Sequence, residues 1–96
     1  MKYLTAILFL IVFQLNALAQ VLTGRIFDLS DKSPLNFVNI VVEGKSIGTT
    51  SDENGFFELR DHLNEDDILF FSHVGFLSKK ITVTEFTNSS KKIFLE

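Results

Sequence analysis

The sequence predicts an all-β fold, a small antiparallel β-sandwich of seven strands, and three features carry that prediction. Apolar residues after position 20 recur with period two in short runs. Turn-forming residues separate those runs at roughly ten-residue spacing, the punctuation of a sandwich. No helical period appears beyond the first nineteen residues. A five- or six-stranded barrel suits the same pattern and stays open as the competing architecture.

Residues 1–19 read differently from the rest. Lys2 supplies a short positive start, Leu4 to Leu15 are almost uninterruptedly apolar, and Ala17-Leu18-Ala19 offers small residues where a signal peptidase reads. The run is short of the about 20 apolar residues that a spanning helix needs. The expectation is a secretory signal peptide over residues 1–19, cleaved to leave an exported domain over residues 20–96.

Residues 21–28 (VLTGRIFD) alternate, with Leu22 and Ile26 on one side and Thr23 and Arg25 on the other. Pro34 closes the polar connection 29–34 and stops any helix there. Residues 35–44 place Val38, Ile40 and Val42 on one face, and 46–51 form a short β-branched strand. Residues 55–60 (GFFELR) send Phe57 and Leu59 one way, and Phe56, Glu58 and Arg60 the other. The acidic turn 61–67 has room for one irregular helical turn around Leu63. Residues 68–73 (ILFFSH), the most apolar stretch, read as a central strand buried on much of both faces. Alternation resumes over 74–83 through Ile81 and Val83, and 84–90 reads as a loop. The last strand, 91–96, turns Ile93 and Leu95 inward.

Composition narrows the function. The net charge of −3 argues against nucleic acid or an anionic membrane surface, since both need a concentrated basic face. Lys79-Lys80 and Lys91-Lys92 are the only basic pairs, and strand neighbours point to opposite faces. Cysteine is absent, so no disulfide holds the domain and stability must come from the core. The eleven phenylalanines, all but Phe9 and Phe13 beyond the leader, suit that demand.

Read together, "LTGRIFDLSDKSPLNFVNIVVEGKSIGTTSDENGFFEL" and "ILFFSHVGFLSKKITV" resemble the carboxypeptidase regulatory-like domain family. The likeness is to the version in envelope proteins of Bacteroidetes-type bacteria, often an N-terminal extension of TonB-dependent outer-membrane receptors. It rests on Gly24, Asp28, Pro34-Leu35, Val38, Ile40, Val42, Gly48-Thr49-Thr50, Asp52, Gly55, Phe57, Leu59, Ser72, Gly75 and Phe76. The resemblance implies a seven-stranded transthyretin-like (prealbumin-like) sandwich and a non-catalytic docking or interaction module. The sequence ends with the seventh expected strand, so no plug, barrel, peptidase domain or TonB-contacting box is expected of it.

Sites for chemistry are sparse. Asp52-Glu53-Asn54-Gly55 offers three oxygen ligands in a row, but Phe56-Phe57 follows where a calcium loop needs further oxygens. The reading is a hairpin corner, with Asp52 accepting backbone N–H groups and Gly55 at positive φ. His62 and His73, without cysteine, fall short of a zinc ligand set. Asp66-Asp67 and Ser72-His73 are strand-edge neighbours that diverge, so neither makes a catalytic pair. Transthyretin-like folds include a ureide hydrolase with a C-terminal tyrosine motif, whereas the only tyrosine here is Tyr3. No catalytic, cofactor-binding or metal-binding residue is expected.

The informative oddity is aromatic parity. Phe56, Phe70, Phe27 and Phe37 all oppose the core residues of their own strands. Either the core is thicker than one sandwich face, or these rings form a contiguous apolar patch for a partner protein or a neighbouring domain. The expected function is an exported, non-enzymatic interaction module of the periplasm, outer membrane or cell surface, with a protein partner in the envelope. A carbohydrate- or small-ligand-binding domain is the second reading, although residues 20–96 lack the Trp or Tyr platforms such sites use.

Overall fold

A computed structural model of the chain describes residues 21–96, so the expected signal peptide lies outside the described residues. The strands are β1 (Leu22–Asp28), β2 (Asn39–Val42), β3 (Gly48–Thr50), β4 (Phe56–Leu59), β5 (Ile68–Ser72), β6 (Lys79–Thr82) and β7 (Lys92–Leu95). One helix, α1 (Val83–Asn88), joins β6 to β7. Two sheets form, a three-stranded one in the order β4-β1-β7 and a four-stranded one in the order β3-β2-β5-β6. The predicted seven-stranded sandwich is therefore present, and the barrel is not.

Alternation builds the core between the sheets. Ile26, Val38, Ile40, Val42, Phe57, Leu59, Leu69, Phe71, Ile93 and Leu95 are buried, each on the inward side that its own run predicts. Each such side chain contributes about 1.5–3 kcal/mol on burial. Phe57, Phe71 and Phe86 of α1 form a ring cluster with centroids 5.7 to 6.3 Å apart.

Four expectations need correction. The loop expected over 84–90 is largely α1, and the strand expected to reach Val83 stops at Thr82, the helix N-cap. Thr82 Oγ1 accepts from the Glu85 N–H at 3.1 Å, and Glu85 Oε1 accepts from the Thr82 N–H at 3.4 Å. That capping box launches a helix of only six residues, too short to show a period. Its function is to drive Phe86 into the core. Gly24 makes room on β1, where any Cβ would land on the Phe86 and Phe57 rings.

Second, the sheets are not wholly antiparallel: β1 pairs with β7 in parallel, Arg25 opposite Lys92 through Asp28 opposite Leu95. A parallel neighbour cannot follow a hairpin and needs a crossover. Here the chain leaves the four-stranded sheet at β6 and reaches β7 through α1. Third, the strands are shorter than expected, β2 and β6 by the most. Residues 35–38 leave the ladder because the buried Ser51 Oγ donates to Leu35 O at 2.8 Å and accepts from the Val38 N–H at 2.9 Å. Residues 74–78 form a turn, with Gly75 at φ 89° and Phe76 N–H donating to His73 O. Fourth, β5 buries one face only, through Leu69 and Phe71, while Ile68, Phe70 and Ser72 are partly or fully exposed. No helical turn forms around Leu63.

Candidate docking face

The outer face of the three-stranded sheet collects the residues that alternation turns away from the core. Register sets Arg25 of β1 between Phe56 of β4 and Lys92 of β7, and sets Phe27 beside Phe94. The Arg25 guanidinium carbon lies 4.5 Å from the Phe56 ring centroid and 5.0 Å from that of Phe27. Phe27 stacks on Phe94 at 5.5 Å and 25°, and Lys32 Nζ sits 4.9 Å above Phe94. Phe56, Arg25, Phe27, Phe94 and Lys32 thus run as one ladder of three rings and two cations across the three-stranded face.

The polar turn between β3 and β4 holds one end of this ladder. Asp52 Oδ1 accepts from the N–H groups of Asn54 and Phe56 at 2.9 and 3.0 Å, and Gly55 adopts φ 79°. Asp52 and Gly55 shape the tight turn as the sequence predicts. The turn is not the expected hairpin corner, because β3 and β4 belong to different sheets and it carries the chain from one to the other. It also has a purpose that the sequence does not reveal, because it presents the Asn54 carbonyl to Arg25 Nε at 2.8 Å.

A hollow of about 370 Å³ runs from Phe56 to Thr49, Asp52, Glu58 and Arg60, and two more flank the rings. One, of about 300 Å³, is lined by Thr23, Arg25, Phe56, Ser90, Lys91 and Lys92. The other, of about 200 Å³, lies between Phe94 and the β5–β6 turn, where Leu77 is 70% exposed.

The four aromatic candidates do not make one contiguous patch. Phe27 and Phe56 meet through Arg25 on this face. Phe70 stands on the outer face of the four-stranded sheet, opposite Val41 of β2 and 5.5 Å beneath Lys80 Nζ. Phe37 lies on the loop before β2, 71% exposed, with φ 61° and its N–H donated to Ser51 O. A left-handed backbone is unusual for a bulky residue, and the Ser51 contacts on either side hold it there. Phe94, Arg25 and Lys32 were not expected at the face. Strand parity alone would have put Phe94 outward, but only the parallel β1–β7 register places it against Phe27.

The other polar candidates are engaged separately. Asp67 accepts from Lys45 Nζ at 2.8 Å and from the Asn64 N–H at 2.7 Å, which hold its carboxyl below the ordinary value, whereas Asp66 is exposed. His73 Nδ1 lies 2.6 Å from Val74 O, and its ring meets Phe76 edge-on at 5.2 Å. Among the described residues, no three His, Asp or Glu side chains converge as a metal site. No helix among them is long and apolar enough to cross a membrane.

The sequence profile described as the CarboxypepD_reg-like domain matches residues 22–96. TonB-dependent receptor P3 of Formosa agariphila is 31% identical over 93 residues, covering 93% of this chain and 9% of the receptor. Two solved complexes of type II cohesin with X-dockerin from Acetivibrio cellulolyticus, a C-terminal and an N-terminal interface mutant, contain a similar β fold. Each match has 19% identity and covers 65% of this chain and 44% of the other, with TM-scores of 0.55 and 0.54.

Proposed function

The chain belongs to the carboxypeptidase regulatory-like domain family, and from that premise we propose that it is a non-catalytic docking module of the bacterial envelope. It contacts a protein partner through the outer face of β4, β1 and β7. The observation that carries this reading is the ladder of Phe56, Phe27 and Phe94, three rings left outside the core and threaded by cations. Phe56 is exposed, and Phe27 and Phe94 are half-buried. Aromatics clustered at a surface with an arginine are the composition of interface hot spots.

The related receptor supports an envelope setting, and a TonB-dependent outer-membrane receptor is the partner class that the relation favours. Residues 1–19 act as a cleaved signal peptide, so the mature protein begins at Gln20 in the periplasm or at the cell surface. No cofactor takes part.

Crosslinking in the native cell tests the docking reading, comparing the natural protein with Phe27→Ser and Phe56→Ser. Loss of one discrete crosslinked protein in both variants, with folding intact by circular dichroism, is the expected result. Unchanged crosslinking would overturn it. The intact mass of the mature protein tests export separately, and a mass that retains Met1 to Ala19 would refute cleavage.

A further inference from the structure

We infer that the hollow between Phe56 and Lys92 seats the carboxylates of an acidic, partly apolar segment of a partner polypeptide. The inference rests on the docking reading of the same face and names the chemistry of the partner.

Charge complementarity is its basis. The ion pairs of the described residues join Lys45 to Asp67, Arg60 to Glu58 and Lys80 to Glu43. None engages Arg25, Lys91 or Lys92, the three cations that line this hollow. They stay unpaired in a chain whose acids outnumber its bases, 12 to 9. The hydroxyl-bearing Thr23 and Ser90 line the same space.

Arg25 is also set in place before any ligand arrives. Its Nε is tied to Asn54 O, and rings lie near its guanidinium on both neighbouring positions. The remaining guanidinium N–H groups can address a carboxylate in two-pronged fashion at little further cost in side-chain freedom.

Phe70 supplies a contrast within the molecule. It too has a cation above its ring, but that cation, Lys80, is already paired with Glu43 at 2.9 Å.

A polypeptide fits better than a small anion because the cationic hollow opens onto apolar surface. The rings of Phe27 and Phe94 continue from it, and the second hollow beside Leu77 lies beyond them. Three strands at about 4.8 Å spacing make a face about 10 Å across, the reach of three or four extended residues. Carboxylates at one end and apolar side chains at the other describe a peptide segment.

Three fluorescein-labelled peptides, alternating Leu with Glu, with Gln or with Lys, provide the test. Anisotropy titrations of the natural protein should give at least tenfold tighter binding of the Glu peptide than of the Gln peptide. Arg25→Gln and Lys92→Gln should each weaken the Glu peptide several-fold and leave the Gln peptide unchanged. Lys92 is exposed, so its variant remains informative even where Arg25→Gln unfolds the domain. Lys80→Gln, on the other outer face, should change nothing.

Equal binding of Glu and Gln peptides would overturn the inference. So would an equal loss from Lys80→Gln, which would indicate diffuse charge. Displacement of the Glu peptide by inorganic phosphate or polygalacturonate, but not by chloride at matched ionic strength, would assign the hollow to a small anion or an acidic polysaccharide instead. If Phe27→Ser abolishes cellular crosslinking while the Glu and Gln peptides bind alike, docking stands and the acidic preference falls. If the Glu peptide wins while Phe27→Ser leaves crosslinking intact, the acidic site stands and the docking reading falls.

Discussion

The two outer faces of the sandwich are made of the same parts and end in different electrostatic states. On the four-stranded sheet, Phe70 lies under Lys80, and Glu43 neutralises that lysine from within the chain. On the three-stranded sheet, Arg25 bridges Phe56 and Phe27, and Lys32 covers Phe94, but no carboxylate completes either cation. An exposed ion pair such as Lys80–Glu43 adds only about 0–1 kcal/mol of stability. The difference therefore lies in what each face presents. One shows a ring beneath a closed pair; the other shows rings with open positive charge. An exposed phenylalanine is a weak sign of a site until the charges around it are accounted for.

The comparison assumes that one shared core holds both faces, and the largest expected effect tests that assumption. Phe71→Ala and Phe86→Ala should each cost about 3–5 kcal/mol, because both side chains are fully buried. A domain of this size has about 5 kcal/mol in total, so both variants should be largely unfolded by thermal or denaturant melts. Phe86 is the sharper case. Near-natural stability of Phe86→Ala would make α1 an accessory, and the two faces would no longer share their support.

How far the sequence foretells this structure depends on the range of the signal. Strand parity is local, so Val38, Ile40, Val42, Phe57, Leu59, Ile93 and Leu95 could all be assigned inward from their own runs. Phe86 could not, because a six-residue helix shows no period and only the Thr82–Glu85 capping box announces it. The candidate face was half legible. Parity turned Phe27 and Phe56 outward, but the same rule grouped them with Phe70, which belongs to the other sheet. Parity says which way a side chain points, whereas sheet membership and the parallel β1–β7 register depend on contacts remote in sequence. Phe37 escapes the rule altogether, since it sits at φ 61° in a loop rather than in a strand.

The next effect in size singles out the three-stranded face. Gly55 has φ 79°, and a Cβ there would meet the Ile26 carbonyl, a backbone atom that cannot swing aside. Gly55→Ala should therefore cost more than about 1 kcal/mol. The turn also carries the Asn54 carbonyl that holds Arg25, so chemical shifts should change around Arg25 and Phe56 and stay put around Phe70. Calcium should leave the Tm of the natural protein unchanged. A rise of several degrees with millimolar calcium would make the turn a ligand site and break this account of it.

Replacing the rings themselves should have smaller effects on stability and an uneven effect on binding. Phe56→Ser removes a half-exposed ring from an edge strand together with one cation–π contact, worth about 0.5–1 kcal/mol at an exposed site. Phe70→Thr removes the comparable contact with Lys80 and keeps a β-branched residue in β5. Both variants should melt close to the natural protein. Only Phe56→Ser should lose the crosslinked partner. Loss of partner from both, or from Phe70→Thr alone, would erase the distinction between the faces.

The smallest expected effect comes from two carboxylates, one behind each face. Asp67 accepts from Lys45, then from the Asn64 N–H, and ties the turn after β2 to the segment before β5. Asp31 accepts from the Ser33 hydroxyl and N–H at 2.7 and 3.0 Å, and shapes the loop that carries Lys32 over Phe94. Both are held below the ordinary value of 3.8 by these hydrogen bonds. A carboxyl lowered in the folded state adds stability that is fully present above its unfolded value. That stability is withdrawn as the pH falls through the lowered folded value. Both groups are ionised and fully contributing at neutral pH, so the losses should appear only in acid. Carboxyl carbon shifts followed by NMR from pH 6 to pH 2 should show both midpoints below 3.8. As Asp31 protonates, the resonances of Lys32 and Phe94 should move with it, while those of Phe70 and Lys80 do not. An Asp31 midpoint at or above the ordinary value would mean that the Ser33 contacts do not hold the loop. Lys32 would then owe its place over Phe94 to the ring alone.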